Sequence, residues 1–178
     1  LKDSQLNKPL TNISKDDAAV TSLIDDLKAR FDVVVNIQNG SQPQQRAIRL
    51  TIKEGSVSVG KAVGNNRKEL MKQAYRVRLD ANEISITANS NAGLFYGVQT
   101  LLQLAVSENG KIVFPKGEIQ DWPDLELRII YWDDAHHLEH LPALKRAIRQ
   151  AAYYKINGFA LKLEGHFQYK NARPIIEP

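Results

Sequence analysis

The sequence contains no cysteine among its 178 residues, which excludes disulfide bonds and thiolate metal sites. Long hydrophobic runs are also absent: no apolar stretch approaches the roughly 20 residues that a helix needs to cross a bilayer. Neither sign of charge is concentrated, since the net charge is +4 and the basic residues are scattered. This distribution indicates that the basic residues lie on solvent-exposed surfaces and do not form a nucleic-acid-binding patch. The composition therefore indicates a globular chain without a membrane span or a nucleic-acid partner.

Periodicity predicts a first helix in "SKDDAAVTSLIDDLKARF". Ser14 is the predicted N-cap, and the apolar positions recur every four residues at Ala19, Leu23 and Leu27. Two β-branched segments, "DVVVNIQ" and "AIRLTIKE", predict strands. The segment "AYRVRLDANEISITAN" alternates on both sides of Asp80 to Asn82 and predicts a hairpin. We therefore expect an α/β (α+β) domain with a mostly antiparallel sheet and two main helices.

The second main helix is predicted in "NSNAGLFYGVQTLLQL", which carries two glycines four residues apart, Gly93 and Gly97. Each glycine costs a helix interior about 0.5–1 kcal/mol relative to alanine. Because both fall on one face, they predict a stripe where the helix backbone lies close to a neighbouring surface. We interpret the stretch as a packing device and not as a catalytic loop.

From Arg128 onward the pattern changes to strand, helix and strand. "RIIYWDD" is nearly continuously apolar, which predicts a strand buried on both faces. The following helix has a predicted apolar stripe at Leu141, Leu144, Ile148 and Ala151, and "GFALKLEG" predicts a second strand. This is one βαβ unit, and the boundary before it falls within residues 118–127.

Three segments carry a resemblance to a known family: "EISITANSNAGLFYGVQTLLQL", "IQDWPDLELR" and the βαβ unit. Over roughly residues 70–165 the chain resembles glycoside hydrolase family 20, the β-N-acetylhexosaminidases. The resemblance implies an N-terminal accessory domain at 1–124, followed at 125–178 by the incomplete start of a catalytic (β/α)8 barrel. A whole barrel takes about 200–250 residues.

The resemblance also implies candidate sugar-binding residues. In the family, an arginine on the first barrel strand binds sugar hydroxyls, with an aspartate five positions later and a histidine nine positions later. Arg128, Asp133 and His137 stand at these spacings. A guanidinium fork suits vicinal hydroxyls, although a salt bridge from Arg128 to Glu126 or Asp124 is the alternative.

The second strand departs from the family's better-known pattern of histidine, tryptophan, histidine and paired aspartates. Here the chain reads "ALKLEGHFQY", and Glu164, Phe167 and Tyr169 look like a divergent branch of hexosaminidase-like barrels. Glu164 is therefore the fourth candidate substrate-binding residue, with a solvated surface glutamate as the alternative. The departure leaves the precise substrate, and activity itself, open.

The resemblance implies substrate-assisted retaining hydrolysis, an exception to the two-carboxylate scheme. An Asp-Glu pair on the fourth barrel strand would orient the acetamido group and protonate the leaving oxygen. This chain contains no Asp-Glu dipeptide, so we expect no catalytic residue in it and no hydrolysis by it alone. No cofactor is implied. "HHLEH" spaces His136 and His140 by four, but no third ligand is evident, so no metal site is predicted.

The expected partner is a glycan or N-acetylhexosaminide substrate of the full-length protein. We also expect an open barrel edge and an uncovered apolar strand, so that the βαβ unit is mobile, forms a dimer through that edge or docks on the first domain. The expected location is secreted, periplasmic or on the surface of a bacterial cell. A different class of function stays open, in which the first domain is a non-catalytic binding or packing module for carbohydrates or a partner.

Overall fold

The computed structural model describes residues 6–9, 13–38, 47–135 and 139–163. The chain divides into two compact units, unit 1 (Leu1–Glu126) and unit 2 (Leu127–Pro178). In chain order, the elements of unit 1 are β1 (Leu6–Pro9), α1 (Ala18–Phe31), β2 (Val35–Gln38), β3 (Ala47–Ile52), α2 (Arg67–Lys72), β4 (Tyr75–Leu79), β5 (Glu83–Ala88), α3 (Asn91–Leu104), β6 (Val106–Glu108), β7 (Lys111–Val113) and β8 (Gly117–Asp121).

Six of these strands form one mixed sheet in the order β2-β1-β3-β5-β4-β8. Strand β4 pairs antiparallel with β5 and β8, whereas the other three neighbouring pairs are parallel. The expectation of a mostly antiparallel sheet is therefore wrong. Helix α1 returns the chain so that β2 runs parallel to β1, and β5 inserts between β3 and β4. The predicted hairpin is confirmed, with Asp80 N donating to Glu83 O at 3.0 Å.

Helix α1 begins later than the sequence predicts. Its N-cap is Asp17, whose carboxylate accepts from Ala19 N at 2.8 Å. The predicted cap, Ser14, lies in the preceding turn and accepts from Asp16 N instead. A carboxylate at the N-terminus satisfies an orphan amide and complements the helix dipole. The buried residues of the helix are Ala19, Val20, Leu23 and Leu27.

Helix α3 lies against α1 and strands β3, β4 and β5, and its two glycines make the predicted close approaches. A Cβ at Gly97 would lie 2.6 Å from Ile86 Cγ2 and 3.1 Å from Tyr75 Cδ2. A Cβ at Gly93 would lie 2.5 Å from the backbone oxygen of Ala74. Real Cβ atoms do not come this close to other heavy atoms, so both positions require glycine for this packing.

A long irregular segment between β3 and α2, residues 53–66, is here named the strap. Side chains from other parts of unit 1 bind its backbone. Asn89 bonds the N–H and the carbonyl of Val57, and Gln120 donates to Ser58 O. Arg67 donates to the carbonyls of Val59 and Gly60. Trp122 Nε1 donates to Lys61 O at 3.0 Å. The strap therefore has a defined path without regular secondary structure.

Tyr75 on β4 is buried, and its hydroxyl bonds two side chains. It donates to the carboxylate of Asp121 on β8 and lies 2.6 Å from Thr100 Oγ1 on α3. Burial, followed by the bond to the Asp121 carboxylate, raises the pKa of the Tyr75 phenol well above its ordinary value. The phenol thus stays neutral and links the edge strand β8 to α3.

Unit 2 is the predicted βαβ unit, with β9 (Ile129–Asp133), α4 (Leu141–Tyr153) and β10 (Gly158–Lys162). The expected uncovered apolar strand is confirmed, because Ile129 is 57% and Tyr131 65% exposed. The burial on both faces that the apolar run of this strand predicts is not found. One helix covers only one face of a two-stranded sheet. The predicted stripe on α4 is correct only in part: Ala151 is buried, whereas Leu141 and Ile148 are exposed.

Candidate functional site

The carboxyl ends of β9 and β10 bring two opposite charges together. Asp133 and Lys162 are register neighbours on the parallel pair, and Lys162 Nζ donates to Asp133 Oδ2 at 3.2 Å. The other carboxylate oxygen of Asp133 accepts from Ala135 N at 3.0 Å. Both side chains keep about a third of their surface exposed. A ligand arriving at this edge would meet a carboxylate and an ammonium already in place.

The next residue, Asp134, is only 3% exposed and serves a different purpose. Its backbone N–H donates to Lys162 O at 3.0 Å, and its carboxylate accepts from Glu139 N at 2.9 Å. Asp134 therefore ties the end of β10 and the approach to α4 to the end of β9. Successive residues of a strand point to opposite faces, which explains the different surroundings of the two aspartates.

Arg128 lies at the other end of β9, one residue before the strand begins. Its Nε donates to Lys155 O at 2.8 Å, and its backbone N–H donates to Asn157 Oδ1 at 2.8 Å. Lys155 has a left-handed backbone with φ of 62°, in the turn between α4 and β10. Arg128 thus fastens that turn to the start of β9.

The structure therefore does not bring the predicted pair Arg128 and Asp133 together. Five extended residues separate their Cα atoms by about 16 Å, at opposite ends of one strand. Sugar binding by Arg128 stays a prediction. The other two predicted residues, His137 and Glu164, lie outside the described residues, as do Phe167 and Tyr169.

Sequence reasoning missed the parts played by Lys162 and Asp134. Lys162 was visible only as one charged residue in an apolar strand, and its pairing with Asp133 depends on the strand register. Adjacent strand residues point to opposite faces, but nothing in the local sequence showed which of Asp133 and Asp134 would be buried.

Neither a metal site nor a membrane span is found in the part of the chain that the structure describes. Within those residues, no group of three His, Asp or Glu side chains could hold a metal ion. His136, half of the "HHLEH" spacing, is outside them. None of the described helices combines the length and apolarity that crossing a bilayer requires.

Comparisons with known proteins give one consistent result. A sequence profile described as "Glycosyl hydrolase family 20, domain 2" matches residues 5–122. A beta-hexosaminidase of Porphyromonas gingivalis is 30% identical over 144 residues, covering 77% of this chain and 17% of that protein.

Solved structures agree with the sequence match. Flavobacterium johnsoniae chitobiase is 25% identical with a TM-score of 0.65, covering 90% of this chain and 24% of that one. A mutant Streptomyces plicatus beta-hexosaminidase in complex with its product GlcNAc is 25% identical with a TM-score of 0.68, covering 88% and 30%. This chain thus spans less than a third of the length of each of these relatives.

Proposed function

This chain belongs to glycosyl hydrolase family 20, and on that premise we propose that it forms the accessory α/β domain and the first βαβ unit of the catalytic barrel in an enzyme that removes terminal N-acetylhexosamine from glycans. The observation that carries the proposal is the extent of the structural likeness. Unit 1 makes up 126 of the 178 residues, so a likeness over 90% of the chain must include part of unit 2.

In the proposed barrel, the site lies at the edge where β9 and β10 end. Active sites of β/α barrels are built at the carboxyl ends of their strands. Asp133 ends β9, and Glu164 follows the last residue of β10 by two positions. We place Asp133, His137 and Glu164 in the substrate-binding set, where carboxylates would accept hydrogen bonds from sugar hydroxyls. Arg128, at the opposite strand end, stays a predicted sugar ligand, and its bond to Lys155 O also stabilises unit 2.

The chemistry we propose is substrate-assisted retaining hydrolysis, in which the acetamido oxygen of the sugar attacks the anomeric carbon. This step needs a group that orients the acetamide and an acid that protonates the leaving oxygen. We propose that both come from residues outside 1–178, because Asp133 is already paired with Lys162 and Asp134 is buried and bonded to Glu139 N. In this proposal, the role of residues 1–178 is to bind the sugar and to support the barrel.

Two measurements test the proposal. The complete product of the gene should release the chromophore from an aryl N-acetyl-β-glucosaminide, and residues 1–178 should not. Lack of turnover by the complete product would reject the enzyme assignment. Turnover by 1–178 would instead show that the catalytic groups lie within this chain.

A binding experiment separates this proposal from a carbohydrate-binding role for unit 1. Purified 1–178 is titrated with N-acetylglucosamine while amide NMR shifts are followed. We expect any saturable shifts to fall at the ends of β9 and β10. Saturable shifts confined to unit 1 would favour the non-catalytic binding module.

A further inference from the structure

The hairpin that follows α3, from β6 to β7, turns through the dipeptide Asn109-Gly110. Both residues have positive φ, 51° at Asn109 and 71° at Gly110, as a two-residue type I′ turn requires. Residues 106–111 are all exposed, and Ile112 is the one buried residue of the hairpin. The side chain of the asparagine and the backbone of the glycine that follows it are therefore both accessible to solvent.

This hairpin is weakly held. In the part of the chain that the structure describes, it forms a two-stranded sheet of its own, and no third strand pairs with it. Isolated two-stranded hairpins are marginally stable in water, and such regions open locally at a low free energy. Among the described residues, no hydrogen bond holds the Asn109 side chain or the Gly110 N–H. The turn can therefore open while the six-stranded sheet stays intact.

A second Asn-Gly dipeptide, between α4 and β10, has the same chemistry in different surroundings. Asn157 Oδ1 accepts from Arg128 N at 2.8 Å, and Gly158 N donates to Arg128 O at 3.1 Å. A Cβ at Gly158 would lie 2.7 Å from Ile129 Cγ1, so the chain is closely packed there. The side-chain carbonyl and the following backbone nitrogen are thus both engaged, in contrast to those of the β6–β7 turn.

From this contrast we propose that Asn109 is a site of spontaneous deamidation. The nitrogen of Gly110 attacks Cγ of Asn109 and forms a new N–C bond that closes a succinimide ring. The bond from Cγ to the side-chain nitrogen breaks, and that nitrogen leaves as ammonia with the proton from Gly110 N. Glycine favours the attack because it has no Cβ to obstruct the approach and its backbone is conformationally free.

Water then opens the ring at one of its two carbonyl carbons. Hydrolysis of the new bond leaves an ordinary aspartyl residue. Hydrolysis on the other side breaks the original peptide bond and leaves an isoaspartyl linkage, in which the main chain runs through Cγ. In both cases the water supplies a hydroxyl to the carbonyl carbon and a proton to the nitrogen of Gly110, so a neutral amide becomes a carboxylate.

The proposed reaction has a local structural consequence. Either product places a new negative charge beside Glu108, and the isoaspartyl form also lengthens the main chain of the turn by a methylene group. A two-residue turn is matched to the register of its strands, and the longer linkage breaks that match. We therefore expect the isoaspartyl product to lose the pairing of β6 with β7 and to retain the six-stranded sheet. The hairpin is then an element whose order declines with the age of the molecule.

Peptide mapping of the 1–178 chain tests the proposal. After incubation in mildly alkaline buffer, a brief trypsin digestion places the Asn-Gly dipeptides in separate peptides, 31–46, 79–111 and 156–162. Fragmentation in the mass spectrometer then measures conversion at each asparagine. Conversion at Asn109 should be at least about tenfold faster than at Asn157, which corresponds to roughly 1.4 kcal/mol of additional opening free energy at the hydrogen-bonded turn. The dipeptide in 31–46 lies outside the described residues and enters no comparison.

A synthetic peptide of residues 104–114 shows whether folding protects the β6–β7 turn. We expect conversion of Asn109 in the protein to be within about tenfold of that in the peptide, because opening the hairpin costs less than roughly 1.4 kcal/mol. A protein rate lower than this limit would overturn the proposal, and so would equal rates at Asn109 and Asn157.

Amide hydrogen exchange tests the structural consequence. Exchange in β6 and β7 should become faster as the isoaspartyl form accumulates, whereas exchange in the six-stranded sheet should not change. The control is an Asn109→Gln variant incubated in the same way, in which exchange should keep its starting rate throughout the hairpin. Unchanged exchange in β6 and β7 of the converted parent chain would show that the hairpin tolerates the longer linkage and would overturn this part of the proposal.

Discussion

The carboxamide of Asn89 pairs with both backbone polar groups of Val57, as a neighbouring strand would. Val57 N donates to Asn89 Oδ1 at 2.9 Å, and Asn89 Nδ2 donates to Val57 O at 2.7 Å and to Met71 O at 2.9 Å. Val57 is fully buried and Asn89 nearly so. One side chain therefore satisfies both buried backbone groups of Val57 and, through its bond to Met71 O, joins the strap to the end of α2.

Replacing Asn89 by alanine should lower the free energy of unfolding by about 2–4 kcal/mol, since the buried N–H and carbonyl of Val57 would both lose their partner. Urea unfolding followed by circular dichroism measures this. Asn91→Ala is the control: Asn91 is exposed, and its side chain donates to the Asp17 carboxylate at the protein surface, so its loss should stay within about 0.5 kcal/mol. Equal losses of stability in the two variants would show that the hydrogen bonds of Asn89 stabilise the fold no more than that of the exposed Asn91.

Replacing Gly97 by alanine should destabilise unit 1, although alanine is the better helix former by about 1 kcal/mol. The added methyl would meet Ile86 Cγ2 and the ring of Tyr75, and overpacking of this kind costs about 1–3 kcal/mol. Gly97→Leu should cost more. In an Ile86→Ala background the penalty of Gly97→Ala should shrink, and a double-mutant cycle in which the two changes simply add would contradict the close-approach interpretation.

Tyr75→Phe should lower the free energy of unfolding by about 1–3 kcal/mol at neutral pH, because the Asp121 carboxylate and the Thr100 hydroxyl each lose a hydrogen-bond partner. The folded-state pKa of Tyr75 lies above the ordinary value of 10.0, so the unfolded chain releases the phenolic proton first. Stability of the parent therefore falls as pH rises beyond 10.0, by up to about 1.4 kcal/mol per pH unit.

The phenylalanine variant lacks this contribution, so the gap between the two chains should narrow as pH rises through that value. Denaturant midpoints measured one pH unit below and one above it give the comparison. A gap that stays constant or widens with pH would show that folding does not raise the pKa of the Tyr75 phenol.

In unit 2, Asp134→Ala should be more disruptive than Asp133→Asn. The first change removes the buried carboxylate of Asp134 and the hydrogen bond that it accepts from Glu139 N, at about 1–3 kcal/mol. The second keeps an oxygen for Ala135 N and gives up a partly exposed ion pair, worth about 0–1 kcal/mol. Amide hydrogen exchange in β9 and β10 measures the local stability of unit 2. Faster exchange in the Asp133→Asn variant than in the Asp134→Ala variant would contradict the prediction.

Local patterns predicted the elements well because their causes are local. The alternation around Asp80 and Asn82 specifies a hairpin, and the two glycines of α3 are explained by the surface that they touch. The direction of most strand pairs was not predictable in this way. The pairing of Ala47 with Glu83 joins distant parts of the sequence, and it depends on β5 entering the sheet between β3 and β4.

The candidate site was predicted only in part. Asp133 does end a strand beside another strand end, as a barrel site requires. The predicted strand "RIIYWDD" already implied that Arg128 and Asp133 lie at opposite ends, so their separation follows from strand geometry. The ion pair with Lys162 depends on register, which no single-strand pattern contains.

The two tryptophans of the chain fall one in each unit. Trp122 lies over Gly60 in unit 1, and Trp132 stacks on Phe159 in unit 2 with ring centroids 6.0 Å apart. Each unit therefore has its own intrinsic fluorophore. Trp132→Phe leaves emission that reports only on unit 1, and Trp122→Phe leaves emission that reports only on unit 2. The loss of structure in either part can thus be followed separately in the intact chain, without any attached dye.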